Sequence, residues 1–154
     1  MIEHLKNKVT TFLQVKKIKR EGKYMSITLY VHLNEEINHE FDVEKFNEDI
    51  NTKYPGTNIE VSTTARTFDI CWENYSKPYQ FELKIDKNRC TFVIEYFNSD
   101  KELYELARFI AWLRSHFNRE KNVILLYETD CAQLDLSCDR TIDDIRIWLE
   151  ETFG

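Results

Sequence analysis

Hydrophobic residues between positions 99 and 117 recur at intervals of three and four, the spacing that places side chains on one face of an α-helix. The apolar face comprises Leu103, Leu106, Ala107, Ile110, Leu113 and Phe117. Ser99 and Glu102 have the S-x-x-E spacing of a capping box, which predicts that the helix begins at Ser99. Phe109, Trp112 and His116 form a neighbouring stripe, so we expect a second element to cover that side of the helix.

A different pattern, the alternation of apolar and polar residues, predicts β-strands before this helix. The first such run covers residues 24–33. Four shorter runs at 59–64, 67–73, 79–85 and 90–97 are separated by polar or proline-containing turns, as in a β-meander. The last of these runs is apolar on both faces, so we expect it to be a central strand.

One face of this meander is expected to be solvated. In residues 79–85 the apolar side chains alternate with Gln80, Glu82 and Lys84, which is typical of an antiparallel sheet with one dry and one wet face. The long helix is expected to cover the dry face.

Residues 34–50 contain seven acidic residues and one basic residue, a local net charge of −6. Asp42 is in position to cap a short helix with a narrow apolar stripe, which consists of Val43, Phe46 and Ile50. Tyr54, Pro55 and Gly56 predict the turn that follows this helix. The acidic residues are explained as the solvated face of the helix.

Two strands and a final helix are predicted after the long helix. Residues 123–127 are continuously apolar, as in a strand buried on both faces, and residues 132–138 alternate as in an edge strand. Thr141 and Asp144 have capping-box spacing at the start of the final helix. Its apolar face comprises Ile142, Ile145, Trp148, Leu149 and Phe153. We expect this face to pack on the aromatic stripe of the long helix.

The N-terminal segment, residues 1–23, has seven basic and two acidic residues, a local net charge of +5. Its pattern predicts a short helix, a strand over residues 9–18 and a hairpin loop at 20–23. The complete order is β-β-α-β-β-β-β-α-β-β-α. It predicts a single α+β domain over residues 1–154, a mainly antiparallel sheet of about six to eight strands with two or three helices packed mostly on one face.

Composition excludes several classes of function. The chain has 3 glycines, whereas a phosphate-cradling loop requires several glycines close together. No apolar run approaches the roughly 20 residues of a membrane span, and the start of the chain has no apolar h-region. We therefore expect a cytoplasmic protein that does not enter a membrane. With a net charge of −6 and one short basic segment, the chain is not expected to bind nucleic acid.

The four cysteines, Cys71, Cys90, Cys131 and Cys138, contain no C-x-x-C pair. In a cytoplasmic protein they are interpreted as reduced thiols, which pack as small hydrophobic side chains. A zinc site is the alternative, and its best combination joins Cys131 and Cys138 to His116 or His32. We expect no metal and no cofactor.

The C-terminal segment, residues 128–154, has eight acidic and two basic residues, and its net charge of −6 equals that of the whole chain. A solvated surface with acidic residues at a helix start is one explanation. A surface for a basic protein is the other, because carboxylates of one sign steer a positive partner. The residues predicted to contact that partner are Glu128, Asp130, Asp135, Asp139, Asp143, Asp144 and Trp112.

The lack of catalytic motifs, together with segregated acidic residues and many aromatic residues, favours a non-enzymatic protein-binding protein. We expect it to neutralise or escort a basic protein, as immunity proteins of bacterial toxins and some secretion chaperones do. Glu128 and Asp130 leave open a small enzyme or ligand-binding protein. A third possibility is a structural protein that self-associates through Phe109, Trp112 or Trp148. Monomer and homodimer both remain open.

Overall fold

A seven-stranded antiparallel sheet with three α-helices forms the part of the protein that the computed structural model describes, residues 26–153. The strands are Ser26–Leu33 (β1), Asn58–Val61 (β2), Phe68–Tyr75 (β3), Tyr79–Asp86 (β4), Thr91–Ser99 (β5), Val123–Tyr127 (β6) and Gln133–Asp135 (β7). The helices are Val43–Lys53 (α1), Glu102–Arg114 (α2) and Ile142–Phe153 (α3). The α+β fold is therefore confirmed, while the helix, strand and hairpin predicted in residues 1–23 lie outside the described residues.

The strands lie in the order β2-β3-β4-β5-β1-β6-β7. As predicted, β5 is the central strand and the short β7 lies at an edge. The pairing between β4 and β5 shifts by one residue, from Leu83 opposite Ile94 to Glu82 opposite Tyr96. Glu95 is thus the extra residue of a β-bulge, which changes the direction of the side chains that follow it.

The core lies between the sheet and the helices. Leu106, Ala107, Ile110 and Leu113 of α2 are fully buried, as the helical spacing predicts, and Phe117 follows them into the core. In α1, Asp42 caps the helix by accepting a hydrogen bond from the Lys45 amide at 3.1 Å. The chain leaves α1 through Gly56, whose φ of 88° is readily adopted by glycine.

The start of α2 differs from the prediction. Ser99 is the last residue of β5, paired with Tyr79, so the strand continues through the position expected to cap the helix. The residue at the cap is Lys101, and it forms no side-chain capping hydrogen bond. Pairing within the sheet therefore displaces the helix start to Glu102, and the spacing of Ser99 and Glu102 is not used as a capping box.

The aromatic stripe of α2 meets rings of α1, of the residue after it and, at Phe109, of strands β4 and β5, rather than rings of α3. The Trp112 ring lies 5.4 Å from Phe46 and 5.7 Å from Tyr54, and the Phe109 ring lies 5.4 Å from Tyr54. Helix α3 packs on α2 elsewhere, where Ile145 and Ala111 line the same cleft. The prediction was wrong because helical spacing identifies an uncovered stripe without identifying which helix reaches it.

The face of the sheet opposite the helices is less solvated than predicted. Glu82 is only 4% exposed, and its carboxylate accepts a hydrogen bond from the Tyr75 hydroxyl. Lys84 on the same face forms an ion pair of 3.5 Å with the buried Glu95. The alternation of polar and apolar residues does not predict this burial, because it does not show which residue of the next strand lies beside Glu82. That residue is Tyr96, which is also buried.

Within residues 26–153, none of the helices combines the length and apolar character that crossing a bilayer would demand.

Candidate functional site

A cleft of about 420 Å³ lies between α1 and the C-terminal end of α2. The residues that line it are Glu40, Phe41, Asp42, Lys45, Phe46, Asp49, Trp112, Ser115 and His116. Asp42, Phe46 and Asp49 reach it together because positions three, four and seven apart lie on one side of a helix. Trp112, in the last turn of α2, and His116, two residues after the helix ends, face them from the other side.

Aromatic rings form the apolar wall of this cleft. The Trp112 ring centre is 5.4 Å from Phe46 and 4.5 Å from His116, and Phe46 and His116 are 4.9 Å apart. Phe41 extends the cluster, 5.5 Å from Phe46. Each ring is held on at least one side by another, so the wall presents a preformed apolar surface.

Carboxylates stand at the edge of the same cleft. Asp49 lies 3.5 Å from the Lys45 ammonium and 3.4 Å from His116 Nε2. Glu40 accepts a hydrogen bond of 3.2 Å from the Asn118 side-chain amide, and Asp42 caps α1. Counted over its aspartate, glutamate and lysine side chains alone, the lining has three carboxylates and one ammonium, a formal charge of −2.

His116 follows the end of α2 and is fixed in position by a hydrogen bond to that helix. Its Nδ1 lies 2.9 Å from the carbonyl oxygen of Trp112, which only accepts hydrogen bonds, so Nδ1 donates. The other nitrogen, Nε2, is thereby directed to the Asp49 carboxylate. His116 therefore links the Asp49 carboxylate of α1 to Trp112 of α2.

The chemistry of the cleft suits a cation with an apolar stem. The side chains of lysine and arginine have this character, because their methylene groups pack on rings while their charged ends meet carboxylates. A cation over an aromatic face gains a further electrostatic attraction. Among the predicted partner-contacting residues, Trp112 lines this cleft, and the acidic residues around it belong to α1 and the segment that leads into it.

Three of the predicted C-terminal acidic residues form local interactions. Asp144 accepts from the Thr141 amide while the Thr141 hydroxyl accepts from the Asp144 amide, which confirms the predicted capping box of α3. These bonds hold the pKa of Asp144 below its usual value. Asp130 accepts a hydrogen bond from the Ala132 amide, and Asp143 lies 3.4 Å from Arg146.

The other three predicted acidic residues lie apart from Trp112. Asp135 and Asp139 are exposed and line a shallow depression of about 300 Å³ that also contains Arg119 and Lys121. Glu128 follows β6, and its charge is one of the causes, after burial, that raise the pKa of Tyr30. The C-terminal acidic residues therefore do not line the aromatic cleft.

Asp49 and its neighbours were missed as site residues. The charge pattern of residues 34–50 favours a solvated helix face and does not separate the acidic residues beside Phe46 from the others. The seven-residue interval between Asp42 and Asp49, with Phe46 between them, is a signal that identifies them as one side of the helix.

The residues of the alternative sites are placed elsewhere. His32 is held by Thr91, with 2.8 Å between Nδ1 and Oγ1, and burial lowers its pKa although the nearby Asp86 acts in the opposite direction. Among residues 26–153, no group of three or more histidine, cysteine or acidic residues is arranged to hold a metal ion. Phe109 is fully buried, so it is not available for contact with a second copy.

Comparisons with protein-family models, with curated proteins and with solved structures find no match to this chain. The inference of function therefore starts from the side chains of the cleft.

Proposed function

We propose that the protein binds another protein of basic character in the cytoplasm, and that it neutralises or escorts this partner. The observation that carries the proposal is the juxtaposition of Trp112 with Asp49 in a preformed cleft between α1 and α2. Aromatic anchors supply much of the binding energy of protein interfaces, and acidic residues around them select a cationic partner.

A lysine or arginine of the partner would place its charged end near Asp42 and Asp49. Its methylene stem would lie against the partly exposed Trp112, whose ring is supported from behind by the buried Phe46 at 5.4 Å. Because these groups are ordered before binding, little conformational entropy is lost when the partner arrives. The cleft would thus fix the position of one basic side chain in a larger interface.

The C-terminal acidic residues have a different role in this proposal. Asp135 and Asp139 are exposed and lie outside the cleft, so they act on the approaching partner rather than on the anchored side chain. Exposed charges of this kind raise association rates without adding much to the final affinity.

A pair of variants on one helix tests the proposal. Asp49 lines the cleft, whereas the adjacent Glu48 is exposed and does not. Asp49→Asn and Glu48→Gln remove the same charge from neighbouring positions of α1. After affinity capture of the partner from native lysate and its purification, we expect Asp49→Asn to weaken binding about tenfold and Glu48→Gln to leave it within about twofold.

Binding is measured by surface plasmon resonance, with circular dichroism as the check that both variants are folded. A partner that tolerates Asp49→Asn as well as Glu48→Gln would contradict the assignment of the cleft. Failure to recover a basic protein partner would contradict the proposed function itself.

A further inference from the structure

A second cleft, of about 410 Å³, lies on the side of α2 away from the aromatic cleft. It is enclosed by the end of α2, the chain that follows β7 and the start of α3. The residues that line it are Ala111, Arg114, Ser115, Phe117, Arg119, Leu136, Ser137, Cys138, Arg140 and Ile145. Three of these are arginines, and none is acidic.

Arg114 is the most unusual of the three because it is a buried cation, 6% exposed. Its five N–H groups donate to main-chain carbonyl oxygens at distances from 2.6 to 3.4 Å. The acceptors are Leu136, Phe117, Asn118, Arg119 and Lys121. In the part of the chain that the structure describes, Arg114 forms no ion pair with a carboxylate, and its positive charge beside the cleft is met by carbonyl oxygens alone.

Arg119 and Arg140 add exposed guanidinium groups to the same wall. Arg140 donates through Nε to the Asp135 carbonyl oxygen at 2.9 Å, which leaves its two terminal nitrogens available. Neither side chain is paired with a carboxylate of residues 26–153. Three acidic residues near them in sequence are Glu120, Asp135 and Asp139. They do not line this cleft but a neighbouring depression, which shares Arg114, Arg119 and Cys138 with it.

The remaining wall of the cleft is largely apolar. Phe117, Leu136 and Ile145 are buried core residues that also border the cavity. A volume of this size is typical of sites for small organic molecules. We propose that this cleft binds a small organic anion with an apolar body, whose anionic oxygens meet Arg119 and Arg140 and whose body lies over Ala111 and the edge of the largely buried Phe117.

The positive charge and the apolar wall act on different parts of such a ligand. Arg119 and Arg140 provide charge-assisted hydrogen bonds to carboxylate, sulfonate or phosphate oxygens. Arg114 has no N–H group left to donate to a ligand. It contributes only its positive electrostatic potential, and it holds the main chain around the cleft in place. An inorganic anion would lack the apolar contact, and a neutral alcohol would lack the charge.

Titration with anilinonaphthalene sulfonate, a fluorescent anion with an aromatic body, tests this site directly. We expect Arg119→Gln and Arg140→Gln each to raise its dissociation constant about fivefold. Arg146→Gln is the matched control because Arg146 is paired with Glu150 at 2.6 Å and does not line the cleft. Hexanoate is expected to displace the probe, whereas hexanol and inorganic phosphate at the same concentration are not.

The two exposed cysteines provide an independent measurement of charge in the cleft. Cys138 lines it, whereas Cys131 does not. Iodoacetate and iodoacetamide both form a sulfur–carbon bond with loss of iodide after the thiol proton leaves to solvent, but only iodoacetate is an anion. The iodoacetate-to-iodoacetamide rate ratio, read by peptide mass spectrometry, should be about threefold higher at Cys138 than at Cys131.

Arg119→Gln and Arg140→Gln should reduce that ratio at Cys138 alone, and unchanged thermal unfolding shows that they are folded. Equal probe binding by the cleft variants and Arg146→Gln would overturn the proposal. So would displacement by hexanol or phosphate as effective as that by hexanoate, or equal rate ratios at the two cysteines.

Discussion

Arg114 illustrates how one side chain can determine the path of a long segment. A guanidinium group presents five N–H donors in one plane, and here carbonyl oxygens from the turn after α2 and from Leu136 accept all of them. The last carbonyl groups of any helix and turn need partners from outside the helix. Arg114 supplies these partners and joins the end of α2 to the segment that follows β7.

Removal of this guanidinium should be costly. We expect Arg114→Met to lower the free energy of unfolding by about 3 to 5 kcal/mol, because several buried carbonyl groups lose their donors together. Arg114→Lys should recover only part of the loss, since an ammonium is a point donor. Urea denaturation measures both effects.

Arg108→Met is the control in the same helix. The Arg108 side chain is 43% exposed and lies 3.6 Å from Glu105, so its replacement should change stability by about 0.5 kcal/mol or less. Equal losses at positions 108 and 114 would show that the carbonyl network contributes nothing specific.

His32 should make stability depend on pH. Burial lowers its pKa, so below about pH 6.5 the unfolded chain binds a proton that the folded protein does not. Stability is therefore lost as the pH falls below that value, by at most about 1.4 kcal/mol per pH unit for this one group.

The variant His32→Gln isolates this contribution. Urea unfolding at about pH 7.5 and about pH 5.5 should show a smaller loss of stability in the variant than in the wild-type protein. Asp86, whose pKa is raised by burial, is present in both proteins, and stability loss of equal size in both would exclude His32 as the source.

These residue-scale features were not predictable from spacing. The sequence identifies Arg114 as part of a helix, but its acceptors lie up to 22 residues away in the chain. Asp49 and Trp112 likewise meet across two helices that the sequence does not order in space. Trp112 is among the predicted contact residues as an aromatic anchor beside the C-terminal acidic residues, and in the structure it lines the cleft with Asp49 instead.

At the scale of elements, two sequences with capping-box spacing, at Ser99 and at Thr141, behave differently: only the second one caps a helix. Thr141 and Asp144 exchange hydrogen bonds of 3.0 Å at the start of α3. Ser99 instead belongs to β5, and its buried hydroxyl oxygen has no hydrogen-bond partner among residues 26–153. A cap requires a chain that is free to leave the strand, and pairing of Ser99 with Tyr79 prevents this.

Alanine substitutions should separate the two cases. Thr141→Ala is expected to lower stability by about 0.5 to 2 kcal/mol, because the Asp144 amide loses its acceptor. Ser99→Ala should be neutral or slightly stabilising, because it removes a buried hydroxyl that forms no hydrogen bond. Thermal denaturation of both variants tests the difference, and a clear loss at Ser99 would contradict the described start of α2.

Strand positions were more predictable than helix placement. Alternation located the meander within a few residues, and the fully apolar β5 was correctly expected at the centre of the sheet. The partner of the aromatic stripe was not predictable, because Trp112 is met by Phe46, which the spacing assigns only to the core, and by Tyr54, which the sequence predicts only as part of a turn. The burial of Glu82 depends on aromatic side chains of neighbouring strands, so the alternation of residues along its own strand does not predict it.

At the scale of the whole molecule, opposite charges are separated around one helix end. Ser115 borders both clefts, with carboxylates and aromatic rings on one side and arginines on the other. The net charge of −6 therefore conceals two local environments of opposite sign. A basic partner would meet the acidic side, while an organic anion would meet the arginines.

The C-terminal acidic residues should affect the rate at which the partner arrives. Reversal of charge in Asp135→Lys or Asp139→Lys should slow association severalfold and flatten its dependence on salt, because exposed charges act over about one Debye length. Dissociation and thermal stability should change little, since neither side chain is buried or paired within residues 26–153.

Asp49→Asn should instead accelerate dissociation, because Asp49 would contact the anchored side chain. Binding kinetics at about 50 mM and about 300 mM salt distinguish the two effects. Unchanged association of both lysine variants would leave the C-terminal acidic residues as solvated surface and the aromatic cleft as the sole proposed contact.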